Sequence, residues 1–231
     1  MDATERTLEL LEDLRPQAYA VVSPDRVDNP VIEPLWAGVR VLAAVEGGEV
    51  DIRDEDGAVF SERPQIAAAL VAAARATSLI LDGYLTKQTA DATLERMVMA
   101  EIPSASALLS KPLLGIRRDR TKEAEEERER LREATTFRDE EPVSLVATDL
   151  LWLDDQSLLD VPLLERKRLL DAVLAQSELV RVGAFVRPPI ATWVSSWRRL
   201  GFYGITYRGA NSRYHPGEER DEWTTAPMPR R

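Results

Sequence analysis

Two dipeptides, Gly47-Gly48 and Asp56-Gly57, constrain this chain more than any other feature. They separate the short extended segments "VRVLAAVEG", "GEVDIRDEDG" and "AVFSE", and glycine in such two-residue turns supplies the positive φ that lets a strand reverse onto its neighbour. From Val31 onward the chain is therefore expected to form an antiparallel meander, with half-buried strands on either side of the Gly-Gly turn.

The flanking segments fit a mixed fold. "ATERTLELLEDLRP" offers Thr4 as a cap, spaces Leu8, Leu11 and Leu14 by three, and stops at Pro16, which predicts a short helix. "QAYAVVSP" is expected to be a strand and "DRVDNPV" a loop. "RPQIAAALVAAARA" places Ile66, Leu70, Val71 and Ala74 on one helical stripe and runs into "TSLILDGYLTK", a buried strand. "TADATLERMVMA" and "SASALLSKPLLGI" are expected to be short helices. Residues 117–141 carry eight basic and ten acidic side chains, which predicts a solvated helix supported by pairs such as Glu126 with Arg130. "VSLVATDLLWLDD" is a central strand by composition. "PLLERKRLLDAVLAQ" begins at Pro162 and sets Leu164, Leu169, Leu170 and Val173 on the face expected to be buried. "LVRVGAFV" and "FYGITYRG" are expected strands, "ATWVSSWRRLG" a helix closing at Gly201, "ANSRYHPGEERDEW" a loop, and "TTAPMPRR" a frayed tail. Strands and helices mix without βαβ alternation, so the fold class is α+β, with antiparallel sheets flanked by helices.

At 231 residues and 44% hydrophobic content the chain can build a core without metals or disulfides. It has no cysteine, which excludes thiolate catalysis and the usual structural zinc and fits a reducing cytoplasm. No run approaches the roughly 18–20 apolar residues of a membrane span, and no secretory leader is visible. Forty acidic residues against 30 basic ones give a net charge of −10, which counts against free-standing nucleic-acid binding because that affinity comes from neutralising phosphates. Nucleic-acid binding by the chain alone is therefore expected to be weak or absent, although a local basic face is not excluded by the balance.

Routine chemical motifs are missing: there is no phosphate loop, no dinucleotide fingerprint, no H-E-x-x-H and no nucleophile elbow. His215 is the only histidine and lies in a "YHPG" turn, where a surface role is expected. Asp154-Asp155 follows a strand and is expected to be a polar turn rather than a cation site.

The order of four segments carries a resemblance. "EPLWAGVRVLAAVEGGEVDIRDEDGAVFSERPQIAAAL", "LILDGYL", "VATDLLWLDDQSLLDVPLLERKRLLDAVL" and "GFYGITYRGANSRYHPGEERDEW" resemble the adenylation domain of ATP-dependent DNA ligases, from about Val31 to Trp223. The resemblance implies a nucleotidyltransferase fold, with residues 1–30 as a helix and lead-in, 31–223 as the ligase-like domain with a charged helical insertion at about 117–141, and 224–231 as a flexible tail. The OB-fold that usually follows in the family is not expected within this sequence.

The resemblance also implies a chemistry. In the family a lysine of a K-x-D-G-x-R motif attacks the α-phosphate of ATP to give lysyl-AMP, and glutamates hold the metal; an amine can attack only with its pKa depressed, and a divalent cation offsets the phosphate charge. Here the lysine position is Leu35 and the aspartate position Ala37, while Gly38, Arg40 and the preceding Glu33 match. Tyr84 and Tyr203 stand where the metal-site glutamates are expected, although Asp82 and Gly83 are retained. Thr148 stands for the adenine-stacking aromatic, with Asp149 kept, and Arg208 for a lysine. After Trp223, "TTAPMP" lacks the terminal lysines.

The chain has four lysines, Lys87, Lys111, Lys122 and Lys167, and none lies on the strand of Leu35 or within the last 60 residues. Lys87 is nearest to a pocket strand, but if Tyr84 points into the cleft, alternation sends Thr86 inward and Lys87 to the opposite face. Arginine stays protonated and cannot substitute. The coordinated loss of these motif residues implies a degenerate pocket with no catalytic residue, no metal ligand and no required cofactor, in a scaffold or interaction module for a protein partner. Alternatives are noncovalent binding of ATP and magnesium through Arg40 and Arg208, an aromatic platform of Tyr84, Tyr203 and Tyr207, or a DNA-binding accessory role.

Overall fold

The computed structural model describes residues 3–88, 129, 136–138 and 141–229. The two short helices expected before residue 117 and nearly all of the charged segment 117–141 lie outside them. Helix α1 (Ala3–Asp13) ends before Pro16 as expected, and the short strand β1 (Ala18–Ala20) follows. Next come β2 (Pro30–Pro34), β3 (Gly38–Glu46), β4 (Glu49–Asp54), α2 (Pro64–Ala73) and β5 (Ser78–Thr86). Beyond the charged segment lie β6 (Ser144–Leu153), β7 (Gln156–Ser157), α3 (Leu163–Val173), β8 (Val180–Val182), α4 (Ala191–Arg199), β9 (Gly204–Gly209) and β10 (Glu219–Pro227).

These strands form two sheets, a larger one ordered β4-β3-β5-β6-β7, with β8 also beside β6, and a smaller one ordered β1-β10-β9-β2. Pairing is antiparallel except for β1 with β10 and β6 with β8. The α+β expectation therefore stands. Gly47 and Gly48, at φ 57° and 91°, turn β3 into β4, and the same β3 pairs along its whole length with β5.

One face of the larger sheet is largely apolar. Val41, Ala43, Leu79, Leu81, Leu85, Leu145 and Leu150 pack there against Ile66 and Leu70 of α2 and Leu170 of α3. The other face meets α1 through Leu11, Leu42 and Ile80, and the smaller sheet through Trp223 and Tyr214. Because side chains alternate along a strand, this second face also receives Arg40, Asp82 and Tyr84, which places charged groups between the two sheets.

Three expectations are corrected. "AVFSE" is not a strand: Val59 only bridges Arg53 and is 61% exposed, because Asp54 Oδ1 takes the amides of Asp56 and Ala58 and closes a tight local turn instead. The supposed loop and tail after Ala210 contain β10, which sits between β1 and β9. Trp223 and Thr224 are buried, and Thr224 Oγ1 donates to the Ala20 carbonyl at 2.8 Å. The buried face of α3 is Leu163, Arg166, Lys167 and Leu170 rather than one running through Leu164, which is 40% exposed. Leu169 and Val173 are only partly buried against the core.

Candidate functional site

Between the sheets lies a buried ion cluster assembled from β2, β3, β5, β6, β9 and α3. Its geometry starts from an irregularity in β6. Asp82 faces Asp149 and Gly83 faces Ala147, so Thr148 is an extra residue without a partner opposite. Its carbonyl is thereby free to accept hydrogen bonds from Lys167 Nζ at 2.7 Å and Arg208 Nη2 at 2.9 Å.

The carboxylates beside this bulge are all in ion pairs. Asp149 holds Arg166 in a fork, Nε to Oδ1 at 2.8 Å and Nη2 to Oδ2 at 2.9 Å, and takes Arg208 Nη1 at 3.1 Å. Glu33 receives Lys167 Nζ on Oε1 at 2.5 Å and Arg208 Nη2 on Oε2. Asp82 receives Arg40 through Nε at 3.1 Å and Nη2 at 2.7 Å, and Tyr214 donates its hydroxyl to the same carboxylate at 2.8 Å. Arg40 Nη1 reaches the Gln17 carbonyl at 2.7 Å. Trp223 lies 4.7 Å beneath the Arg208 guanidinium, and Tyr19 lies 5.1 Å from that of Arg40.

Burial sets the protonation states. It pushes the Asp149 carboxyl up, but Arg166 and Arg208 outweigh it and hold the group below the ordinary value. Burial likewise acts against Arg40 and Arg208, yet Asp82 for the one and Glu33 and Asp149 for the other raise both. For Lys167 desolvation wins over Glu33 and lowers the ammonium to about 8. Two further observations agree with a weakly held proton. Lys167 has two acceptors, which the two hydrogens of a neutral amine already serve, and among the described residues the cluster of Arg40, Arg166, Lys167 and Arg208 faces only Glu33, Asp82 and Asp149.

This gives a pH prediction. An unfolded lysine titrates near 10.4, so between about 8 and 10.4 the unfolded chain binds the extra proton. Relative to Lys167→Met, the native chain should gain stability as pH rises through that window, by about 3 kcal/mol at most. Parallel denaturation curves of the two proteins from neutral pH to pH 10 measure it, and a constant difference would contradict the depressed lysine.

The residues singled out from sequence are only partly brought together. Glu33, Thr148 and Arg208 meet in the cluster, and Arg40 joins it through Asp82. Leu35 does not: it is half-buried on Gly204, where an added Cβ would lie 2.9 Å from Leu35 Cδ2. Ala37 is fixed through its backbone, donating to Gln88 Oε1 at 2.8 Å and accepting from Thr86 Oγ1 at 2.6 Å. Gly38 and Gly83 are dictated by close strand approach, since a Cβ would come within 2.0 Å of the Leu85 carbonyl oxygen and 2.3 Å of that of Val146.

Tyr84 packs in an apolar cluster with Ile32, Trp36, Val146 and Phe202, against which Tyr207 lies half-buried. Tyr203, also half-buried, accepts from the Met228 amide through its carbonyl. Lys87 points away from the cluster to Glu141 at 2.8 Å, as alternation predicts. His215 lies in a surface turn, and Asp154 and Asp155, at φ 43° and 64°, make the β6–β7 turn.

Sequence reasoning missed Arg166, Lys167 and Tyr214. A usable signal existed for the first two, because they lie three and four residues after Leu163 and share its stripe with Leu170.

The donor set does not fit a divalent cation. Tyr84 is a phenol whose pKa burial raises well above the ordinary value, and Glu33, Asp82 and Asp149 are committed to cationic side chains.

A family described as the ATP dependent DNA ligase domain matches residues 24–225. The fold is similar to the ligase domain of LigD from M. tuberculosis, with a TM-score of 0.58 and 23% identity over 94% of this chain and 60% of that one. It is similar too to mycobacterial DNA ligase D complexed with ATP and MES, at a TM-score of 0.59 and 21% identity over 93% of this chain and 60% of that one. A third similar structure is a Lig E DNA ligase, with a TM-score of 0.51 and 12% identity over 92% of this chain and 68% of that one. No curated protein matches. The chain thus spans about 60% of the length of the LigD structures.

Proposed function

The chain belongs to the ATP dependent DNA ligase domain family, and on that premise we propose that it is a member that does not transfer adenylate and serves instead as a rigid interaction module for a protein partner. DNA repair is the setting its family suggests. One observation carries this reading. Leu35, at the position of the attacking lysine, packs on Gly204, while Lys167, the one lysine among the described residues of the ion cluster, gives hydrogens to Glu33 and the Thr148 carbonyl. Neither group offers a free amine to an α-phosphate.

The test is incubation of the protein with ATP and magnesium or manganese, followed by intact-mass measurement. No added AMP is expected, and an adenylylated species mapped to any residue would overturn the proposal.

Noncovalent binding of ATP and magnesium has weaker support, because Arg40 and Arg208 both turn inward to carboxylates, Gly38 is accounted for by its approach to Leu85, and the carboxylates that a magnesium ion would need are held by cations. A DNA-binding accessory role rests on family likeness alone and is opposed by the net charge of −10. A cytoplasmic location belongs to the same proposal. Among the described residues no helix is long and apolar enough to cross a membrane.

A further inference from the structure

Glu33 sits where an oxyanion would be welcome. Its carboxylate is shared by two cations, Lys167 and Arg208, whose side chains are 2% and 1% exposed. The Arg208 Nε–H beside them is buried and has no acceptor among the described residues. Among the described residues four cations of the cluster face three carboxylates, so at neutral pH one positive charge is in excess among them. A buried excess charge is costly, and a second negative charge at the position of Glu33 would offset it better than a single carboxylate does.

The site also has a cover. After β8 the backbone passes directly over the carboxylate, since a Cβ on Gly183 would lie 3.1 Å from Thr148 Cγ2 and 3.5 Å from Glu33 Oε1. Phe185, 36% exposed, lies over Lys167 with its ring centroid 5.4 Å from Nζ. Val186 is tied to Ile32 by a pair of backbone hydrogen bonds of 3.0 and 2.8 Å.

We propose that Lys167 and Arg208 form a site for a small oxyanion, carboxylate or phosphate, which the chain's own Glu33 occupies as an autoinhibitory contact beneath residues 183–186. The proposal deepens the reading of the same site as one that transfers no adenylate, but it fails separately: lysyl-AMP would sink the former reading, and an anion-blind variant would sink this one.

The experiment is thermal unfolding of the wild type and Glu33→Ala at about pH 6.5, where Lys167 is charged, in formate, orthophosphate or chloride at equal ionic strength. Glu33→Ala opens room for an external anion. Its Tm should rise in formate or phosphate by about 2–4 °C over chloride, the response of a chain this size to an anion at several times its Kd. The wild type should not distinguish the salts, and Glu33→Ala/Arg208→Met should lose the response. A larger rise in phosphate identifies a phosphate-type ligand, and a larger rise in formate a carboxylate. Equal behaviour of Glu33→Ala and the wild type overturns the proposal.

A second measurement needs no variant to fold. Under brief treatment with acetic anhydride, wild-type Lys167 should be acetylated at least tenfold more slowly than Lys87, whose side chain is 29% exposed, a ratio equivalent to about 1.4 kcal/mol in the opening equilibrium. Comparable rates would show that Glu33 and its cover do not close the site.

Discussion

Asp149→Ala should lower the stability of this protein by about 3–5 kcal/mol, the largest effect expected of a single change in the ion cluster. Asp149 is completely buried, and it is the partner of the Arg166 fork and of one Arg208 nitrogen. Removing it leaves the buried Arg166 guanidinium without its carboxylate and Arg208 with Glu33 alone, in a place water does not reach, and arginine cannot relieve the strain by losing its proton. The cost is thus mainly that of orphaned charge, not of a lost contact. Urea denaturation with an unchanged m-value measures it. The double variant Asp149→Ala/Arg166→Met should recover part of the loss, because it removes one orphan together with its partner; additive losses within about 0.5 kcal/mol would show that the two groups do not act as a pair.

Trp223→Ala should cost a similar amount, about 3–5 kcal/mol, by loss of a large buried side chain. Trp223 is fully buried in β10, packed against Tyr19 and Tyr214 with ring centroids 5.9 and 5.4 Å away, and its Nε1 donates to Ser212 Oγ at 2.8 Å. It also forms the floor under the Arg208 guanidinium, so its removal loosens the cluster as well as the core. Val21→Ala, at a residue 97% exposed, serves as the control and should stay within about 0.5 kcal/mol. Equal melting of the two variants would mean that β10 is not part of the cooperative unit.

The two substitutions probe elements of unequal legibility. β6 was evident from the apolar run "VSLVATDLLWLDD", since a strand buried on both faces has little choice of composition. β10 was not, because four of its first residues, Glu219 to Glu222, are charged and exposed, and no alternation announces a strand. Its place comes from pairing with β9, the strand just before it, and with β1, a three-residue strand at the other end of the chain that is too short to predict it. The same contrast holds within the site. Replacement of the expected lysine by Leu35 could be read from "EPLWAGVR" alone, and the stripe of Leu163 and Leu170 marked Arg166 and Lys167 as inward, but the carboxylates they meet there could not be read from it.

What the sequence by itself determined was the local grammar and the family. Gly47-Gly48 turned the first hairpin, the buried β5 and β6 were written in their composition, and the ordered motif remnants led to the ligase domain family. Only the tertiary structure decided where the charges went. Apolar periodicity marks a buried face because each residue is driven inward independently, but a buried cation is stable only beside a carboxylate that the fold delivers. Lys167 meets Glu33 across 134 residues, and Arg208 meets it across 175. No local pattern encodes such a meeting, so the side of α3 that carries Arg166 and Lys167 became part of an ion cluster only where the fold brought Asp149 and Glu33 to it.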